Sequence, residues 1–564
     1  MTTMTDSTPA DPIKAIDALL APFNRSDAPG LVVGIRQQGR WLCRRGLGLA
    51  SIELGVANTP RTRMRIASTS KQFTALAVML LAEDGKLSLD DAVQRHLPEL
   101  PMLSDKGPTL RQLLSHTGGW RGHDELWALA QGFTLAPPGI GLAAMARQSE
   151  LSSEPGTRLL YSNGGYRMLA LIVERLSGLG YGEFLRTRVF APLGMVDTES
   201  VASDLDVRPG MATLYLPELS AAGPTGRWRR GVYPCEFEGG GSLVSTLDDM
   251  LAWLAHLRSA TKTVGSTGSW AQMLAPTTLR SGEELPYGFG LVRHPYRGVE
   301  VIHHNGAVLG GTSQMITVPA HQLDIMIIGN GAPVVPALLA FKFIDLLLGD
   351  ALTEAPPPRA AAADYAGLVG ARYHAPESGN LVGFDRVGDR LGLSWLGSGA
   401  MPLREREDGR GLWLGFLDLA SNRIDIDLEG VDTSTVPPQD LTLSEAGQLQ
   451  RLHRLPDTLP DPAALAPLLC GRYRSADLDA SAQIELGAEG LLMTIDGRHG
   501  QMRGRLKPLS DAVMIITPTE PLLAAMSPGS LVNIERRADG RVTGLRYDSM
   551  RTRRLRFQRE ESAA

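Results

Sequence analysis

Residues 70–84, SKQFTALAVMLLAED, are apolar on nearly every face of a helix. Such a helix cannot lie on a surface; it has to be covered all round. Gly85 follows at the position where a left-handed residue ends helices. The chain must therefore build a layered core, and 564 residues provide for it. At roughly 100–200 residues per domain they make about three domains. Hydrophobic residues are 43% and charged residues 21%, the balance of soluble globular protein. The net charge is −5 without a sustained basic run, which argues against nucleic acid as a partner. Arg551, Arg553, Arg554 and Arg556 cluster near the end and read as a solvated strand edge. The first residues, MTTMTDSTPADPIK, lack a cationic stretch followed by an apolar one, so no secretory signal is expected. No run of 18 apolar residues predicts a membrane helix. Cys43, Cys235 and Cys470 are far apart and without metal-ligand spacing. They read as free thiols in a reducing compartment, with the cytoplasm as the default location. No metal or cofactor is expected.

Leu31–Arg36 and Arg40–Gly48 read as strands around a Gln-Gln-Gly turn, and Val301–His303 and Leu323–Ile328 as strands flanking a Gly-rich hairpin. Residues 164–176 form an amphipathic helix stopped near Gly178, and Thr109 and Ser245 look like helix N-caps, the latter with Asp248 three residues on. With strand groups at both ends and helices between them, residues 1–353 fit an α+β domain, an antiparallel sheet flanked by helices, better than βαβ units. The Pro-rich link EAPPPRAAAA at 354–363 stiffens the chain and withholds backbone donors. Short alternating runs follow at Arg390–Trp395, Gly411–Leu417 and Arg423–Leu428, then a second Pro-rich link at 455–467 and further strand-like sequence. Leu368-Val-Gly-Ala-Arg372-Tyr373-His echoes Leu468-Leu-Cys-Gly-Arg472-Tyr473-Arg, 100 residues on. Two related antiparallel β-barrel domains, 364–454 and 465–564, would explain that spacing.

Ser68-Thr-Ser-Lys71 opens the apolar helix. Residues i and i+3 share a helix face, so the serine hydroxyl meets the lysine amine one turn later. A desolvated lysine loses its proton more readily and can act as base toward the serine. Ser-x-x-Lys alone is weak, and a second copy, Ser259-Ala-Thr-Lys262, lies in the polar stretch RSATKTVGSTGS; it reads as an exposed loop. Tyr161-Ser162-Asn163 precedes the helix at 164–176. Its phenol can relay a proton to a leaving group, and its amide can orient the lysine and a substrate carbonyl. His304-Asn305-Gly306-Ala307 ends a strand. Gly306 lets a substrate backbone lie against the strand edge, and the following N–H can donate to an oxyanion together with that of Ser68.

Together the three segments resemble the penicillin-recognising serine hydrolases, whose motifs are Ser-x-x-Lys, Tyr-x-Asn and a Lys- or His-led triplet ending in Gly. Leu113-Leu-Ser-His116-Thr-Gly-Gly119, Ala191-Pro-Leu-Gly-Met195, Gly239-Gly-Gly-Ser-Leu-Val-Ser-Thr246 and Tyr287-Gly-Phe-Gly-Leu291 are similar to that family's connecting segments; His116 reads as a structural brace. The resemblance spans about residues 25–350. It implies a β-lactamase/transpeptidase-like catalytic domain with Ser68 as nucleophile, Lys71 as base and Tyr161 as proton relay, and Asn163, His304, Gly306 and Ala307 as substrate contacts. A histidine at 304 in place of the commoner lysine weakens recognition of a free carboxylate. That departure, with two β domains behind, is similar to the D-stereospecific aminopeptidases of the family. It implies release of an N-terminal D-residue from small peptides, amides or esters, with a homodimer and inhibition by β-lactams as further implications. A carboxylesterase, a D-amino-acid amidase and a β-lactam-acylated binding protein stay open as alternatives. In that subgroup a loop of the last domain reaches the active site. Here the loop matches 520–529, with Glu520 or the position of Ala524 expected near the substrate amine.

Overall fold

The structure, a computed structural model, describes residues 11–220, 223–354, 358–415, 423–445, 448–526 and 529–561. A six-stranded sheet runs in the order Val292–Tyr296, Val299–Val308, Gly311–Val318, Leu323–Gly329, Leu31–Gln37, Arg40–Leu47, with every pair antiparallel. The first strands thus close against the last. Alternate residues of one strand go to different cores, because successive side chains leave a strand on opposite faces. Leu31, Val33 and Ile35 pack with Ile325, Ile327 and the helices Pro12–Leu20 and Pro336–Leu348. Val32, Met326 and Ile328 pack on the other side with the helices Lys71–Glu83 and Leu247–Arg258. Burial on both faces is what gives Leu323–Gly329 seven consecutive buried residues.

The helix Lys71–Glu83 is buried from Lys71 through Leu81, as its all-round apolarity requires. Two local expectations shift. The stretch between Val301–His303 and Leu323–Ile328 is not only a hairpin: Gly311–Val318 is a full strand, disguised by the glycines that turn the chain into it. The N-cap of Leu247–Arg258 is Thr246, whose hydroxyl accepts from Asp249 N, while Ser245 ends a short strand. The cap is one residue later because Ser245 is taken up in strand pairing with Met64.

Beyond the link at 354–363, of which 355–357 lie outside the described residues, a nine-stranded antiparallel sheet has at its two edges Met401–Pro402 and Arg404–Glu405. Those edge strands are separated only by the buried Leu403, so the chain itself joins the edges of the curled sheet. The last eight strands, from Gly471–Ser475 to Leu555–Arg559, form a closed barrel. Its period-two pattern is clearest in Gln501–Pro508, where exposed and buried residues alternate throughout. The echoed segments occupy equivalent places. Tyr373 pairs with Arg454 of that sheet's Gln448–Arg454 strand, and Tyr473 with Arg559 of the barrel's last strand. Both tyrosines are wholly buried.

The three parts meet on buried charge. The cluster near Arg551 is a solvated edge only in part: Arg554 and Arg556 are exposed, but Arg553 is 1% exposed. Its guanidinium donates to the Gly379 carbonyl (2.8 Å) and Asn380 Oδ1 (2.7 Å), both in the nine-stranded part. Its backbone accepts from Arg121 (2.9 Å) and pairs with Ser152 (2.9 Å), both in the first part. Arg121 also donates to Asp477 (2.8 Å) at the start of the barrel, and Arg158 to Glu445 (2.8 Å). Glu445 in turn accepts from Asn380 (2.8 Å). Removing one member leaves the others desolvated without their partner, which costs more than the pair contributes. Arg553→Met is therefore expected to destabilise the protein by about 3–5 kcal/mol. Urea denaturation followed by tryptophan fluorescence measures this; a variant as stable as the parent would show that the junction does not depend on Arg553.

Candidate active site

Ser68 lies in a 3₁₀ turn, Ala67–Ser70, that runs into the buried helix. Ala67 takes the left-handed conformation, with φ 48°, which is uncommon for a residue with a side chain. The turn is clamped from the strand Val299–Val308 and its neighbour. Ser313 Oγ donates to Ile66 O (2.7 Å), and Thr69 Oγ1 donates to His304 O (3.3 Å). Gly306 is required by that approach, because a Cβ there would stand 2.3 Å from the Ile66 carbonyl oxygen. Ala307, next along the strand, is exposed and lines the cleft.

The Lys71 amine is wholly buried and has three polar neighbours: Ser68 Oγ at 3.0 Å, Asn163 Oδ1 at 2.7 Å and Gly240 O at 2.6 Å. Two of these are acceptors only. A neutral amine has two hydrogens and one lone pair. The carbonyls take both hydrogens, and the lone pair is left for the serine hydroxyl. Burial, assisted by the charge of Arg551 and opposed by Asp124, holds Lys71 well below the ordinary lysine range. Tyr161 also hydrogen-bonds Ser68, but burial pushes its phenol up, so it stays protonated at neutral pH. Lysine is thus the group able to take the serine proton, and the phenol the group able to hand one on.

Asn163 begins the helix Asn163–Ser177, which Ser162 caps. Its amide N–H donates to Asp124 (2.7 Å), as does the Tyr233 hydroxyl (2.7 Å). Behind the cleft runs a second chain of hydrogen bonds. Ser162 N–H donates to His116 Nδ1 (3.1 Å), so His116 carries its hydrogen on Nε2 and donates to Tyr287 (3.1 Å). The Tyr287 hydroxyl then donates to His304 Nε2 (3.1 Å), and His304 Nδ1–H to the Asn305 carbonyl (2.6 Å). Each link assigns the tautomer of the next. Burial, with the Lys71 charge adding to it, depresses His304 to about 3. His304 is neutral and 0% exposed. Its ring lies 6.4 Å from that of Tyr161, centre to centre, and is held by Tyr287.

A cavity of about 510 Å³ opens beside this centre, where the first part, the nine-stranded sheet and the barrel converge. Leu129, Phe133, Phe237, Met502, Ile516 and Leu523 make its walls mostly apolar. The 520–529 segment does reach it, through Leu523 and Gly529, but as a short helix, Pro521–Met526; residues 527–528 lie outside the described residues. Glu520 is spent within that segment, its carboxylate accepting from Leu523 N (2.6 Å), and Ala524 N–H bonds the Glu520 carbonyl (2.9 Å). Neither lines the cavity. Pro521 at the first helical position makes the turn helical, and the helix draws the acid away.

Among the described residues, the acids in the cavity are Asp124 and Glu125, from the first turn of the helix His123–Gln131. Sequence reasoning missed both, and also Arg551, which reaches the cavity from the barrel. Two acids at a helix start look like ordinary complements to its dipole. The signal that sets them apart is the apolar face of the same helix: Leu126, Leu129 and Ala130 pack into the barrel core, which puts its first turn at the interface. Burial works to raise Asp124, but His123 and the bonds from Asn163 and Tyr233 hold it below the usual range. Burial pushes Glu125 up to about 8, against Arg551 at 3.5 Å and the Thr552 hydroxyl at 3.0 Å. The second Ser-x-x-Lys lies elsewhere: Lys262 caps a helix end through the His256 and Leu257 carbonyls.

The family described as Beta-lactamase matches residues 15–348. A D-aminopeptidase of Cereibacter sphaeroides (strain KD131 / KCTC 12085) is 28% identical over 97% of this chain and 98% of its own length. One of Brucella anthropi is 28% identical over 94% and 95%. The octameric penicillin-binding protein homologue from Pyrococcus abyssi superposes with a TM-score of 0.52 at 18% identity, covering 97% of this chain and 98% of that one. No group of three or more His, Cys, Asp or Glu side chains suited to a metal occurs among the described residues, and no described helix is long and apolar enough to cross a membrane.

The raised Glu125 has a consequence for stability. Between about pH 4.5 and 8 the folded protein keeps a proton on Glu125 that the unfolded chain releases. This contribution is complete below the unfolded value and is lost as pH rises through the folded one. Glu125→Gln cannot ionise, so the fall in urea midpoint from pH 4.5 to 8.5 is expected to be shallower than in the parent. Parallel curves for the two proteins would contradict the raised value.

Proposed function

The chain belongs to the Beta-lactamase family, and on that basis we propose that it is a serine hydrolase that releases an N-terminal D-amino acid from small peptides, amides or esters through an acyl-enzyme on Ser68. The observation that carries the chemistry is the buried Lys71 amine, 2.7 Å from Asn163 Oδ1, 2.6 Å from Gly240 O and 3.0 Å from Ser68 Oγ; in its neutral form the two carbonyls take its hydrogens and its lone pair faces the serine. Lys71 takes the serine proton as Oγ attacks the carbonyl carbon. The oxyanion is received by the backbone N–H groups of Ser68 and Ala307. Tyr161 passes the proton from Lys71 to the leaving amine, the C–N bond breaks, and the acyl group stays on Ser68. Water, deprotonated by the same centre, then attacks the ester and returns the proton to Ser68.

The free amine of the substrate is held by Asp124, the ionised acid at the edge of an otherwise apolar cavity, with the protonated Glu125 beside it. A volume of about 510 Å³ with aromatic and aliphatic walls suits a bulky apolar side chain on the acyl residue. The helix Pro521–Met526 helps close the cavity through Leu523, which disfavours chains extended beyond the amine. The D preference is supported by the relatives named D-aminopeptidase, which align over nearly the whole chain.

A panel of D- and L-phenylalanyl and alanyl p-nitroanilides, each with and without an N-acetyl block, tests this. Turnover is expected only for free-amine D substrates, with the phenylalanyl one preferred. Faster turnover of the blocked or L substrates would replace the aminopeptidase with a plain esterase or amidase. In the same assay Ser68→Ala abolishes acylation and Lys71→Ala lowers kcat by several orders of magnitude, whereas Ser259→Ala leaves both intact. A covalent adduct mapped to any peptide without Ser68 would remove the nucleophile assignment.

A further inference from the structure

Among the described residues, Arg551 is the one cation the barrel places in the cavity beside the serine centre. It sits in a turn that has little freedom. Ser549 N–H bonds Thr552 O (2.7 Å), Thr552 N–H bonds Ser549 Oγ (3.1 Å), and Arg554 N–H bonds Asp548 (2.9 Å). Arg554 holds φ 60°, and Arg553 is locked into the three-way junction. The turn aims Arg551 across the domain boundary. Its Cζ lies 4.8 Å from the centre of the Tyr161 ring, and Lys71 Nζ lies 4.7 Å from the same centre. One phenol ring therefore lies between the Arg551 guanidinium and the Lys71 amine, which are less than about 10 Å apart.

We propose that Arg551 is a positioning residue for acylation: a fixed positive charge, delivered by the barrel over the Tyr161 ring, that favours the uncharged amine of Lys71 and so completes the electrostatics of a centre whose other groups belong to the first domain. The inference rests on the Ser68–Lys71 chemistry proposed above. The charged and titratable groups around Arg551 are Glu125, Tyr161, Asp124 and Tyr233, and those around Lys71 are Asp124, His116, His304, Tyr161 and Tyr166. His116 and His304 are neutral. Tyr161 and Tyr233 keep their protons, since burial raises both. Asp124 opposes the effect but is already bonded by Asn163 and Tyr233. Glu125 is the natural counter-ion, and burial raises it to about 8, so across the neutral range it leaves the Arg551 charge uncancelled. At such a separation inside protein, a unit charge moves a neighbour's ionisation by roughly one pH unit.

The experiment is the pH dependence of Ser68 acylation by p-nitrophenyl acetate, a neutral probe with no charge for Arg551 to recognise. It is run from pH 5 to 10 on the full-length protein and on Arg551→Gln and Arg551→Lys, with the acetyl group located by mass spectrometry. Loss of the cation is expected to raise the midpoint of the acid limb by roughly one pH unit, with a smaller change at the alkaline plateau, and Arg551→Lys is expected to bring the midpoint back. Arg551→Met, which keeps an apolar stem over the ring, replaces the glutamine variant if that one does not fold. An unchanged midpoint in the uncharged variants, with acetyl on Ser68 in every protein, overturns the inference and leaves the proposed function standing. Absence of acetyl-Ser68 in the parent overturns both.

Discussion

A guanidinium buried without partners is among the most costly groups a protein can contain, and Arg553 is placed where only a complete assembly satisfies it. Its donors end on the nine-stranded sheet, its backbone on the first domain, and its own strand belongs to the barrel. Arg121, with Asp477 and Glu150, repeats the arrangement beside it, bonded to the Arg553 carbonyl. Three parts whose cores already share residues are thereby held in one relative orientation. The cavity exists only in that orientation, because its walls come from all three. Adjacent positions on one turn divide the work, with Arg553 fixing the interface while Arg551 and Thr552 use the position so fixed to reach Glu125 and Tyr161.

The serine centre shows the opposite strategy. There the polar groups avoid charge. Lys71 finds two carbonyl acceptors and a hydroxyl, and His116, Tyr287 and His304 form a chain in which every donor has an acceptor without any ionised member. A low-dielectric site makes such a network strong when it is complete and costly when it is not. The acids are kept one step away, with Asn163 between Asp124 and the amine. Separation by a single amide allows one small region to contain both a neutral base and an anionic edge.

The centre itself was legible in the sequence because its groups occur in short motifs whose spacing is a local property of helix and strand. Ser68 and Lys71 share a helix face, Asn163 follows its N-cap, and Gly306 marks a close approach of backbones. The cavity was not legible, because its chemistry is assembled from residues 124, 125 and 551, each ordinary among its sequence neighbours. Asp124 and Glu125 resemble any acidic first turn, and Arg551 any cation in an arginine-rich strand end. The displaced expectations have the same origin. Glu520 is an acid at the right place in the chain, but Pro521 starts a helix that claims its carboxylate. His304 sits in its motif, and what the motif does not show is the bond from Tyr287, seventeen residues earlier, that fixes its ring. The fold was more legible than the site, since alternation and all-round apolarity report burial directly, and burial determines which layers must exist.

In each β-rich part an early strand pairs with the closing one, at Tyr373 with Arg454 and at Tyr473 with Arg559. The chain therefore enters and leaves each unit at one corner. A unit wired in this way can be copied in tandem, or lost, without rerouting anything upstream. The shared Arg-Tyr at 372–373 and 472–473 is what a copying event would leave behind.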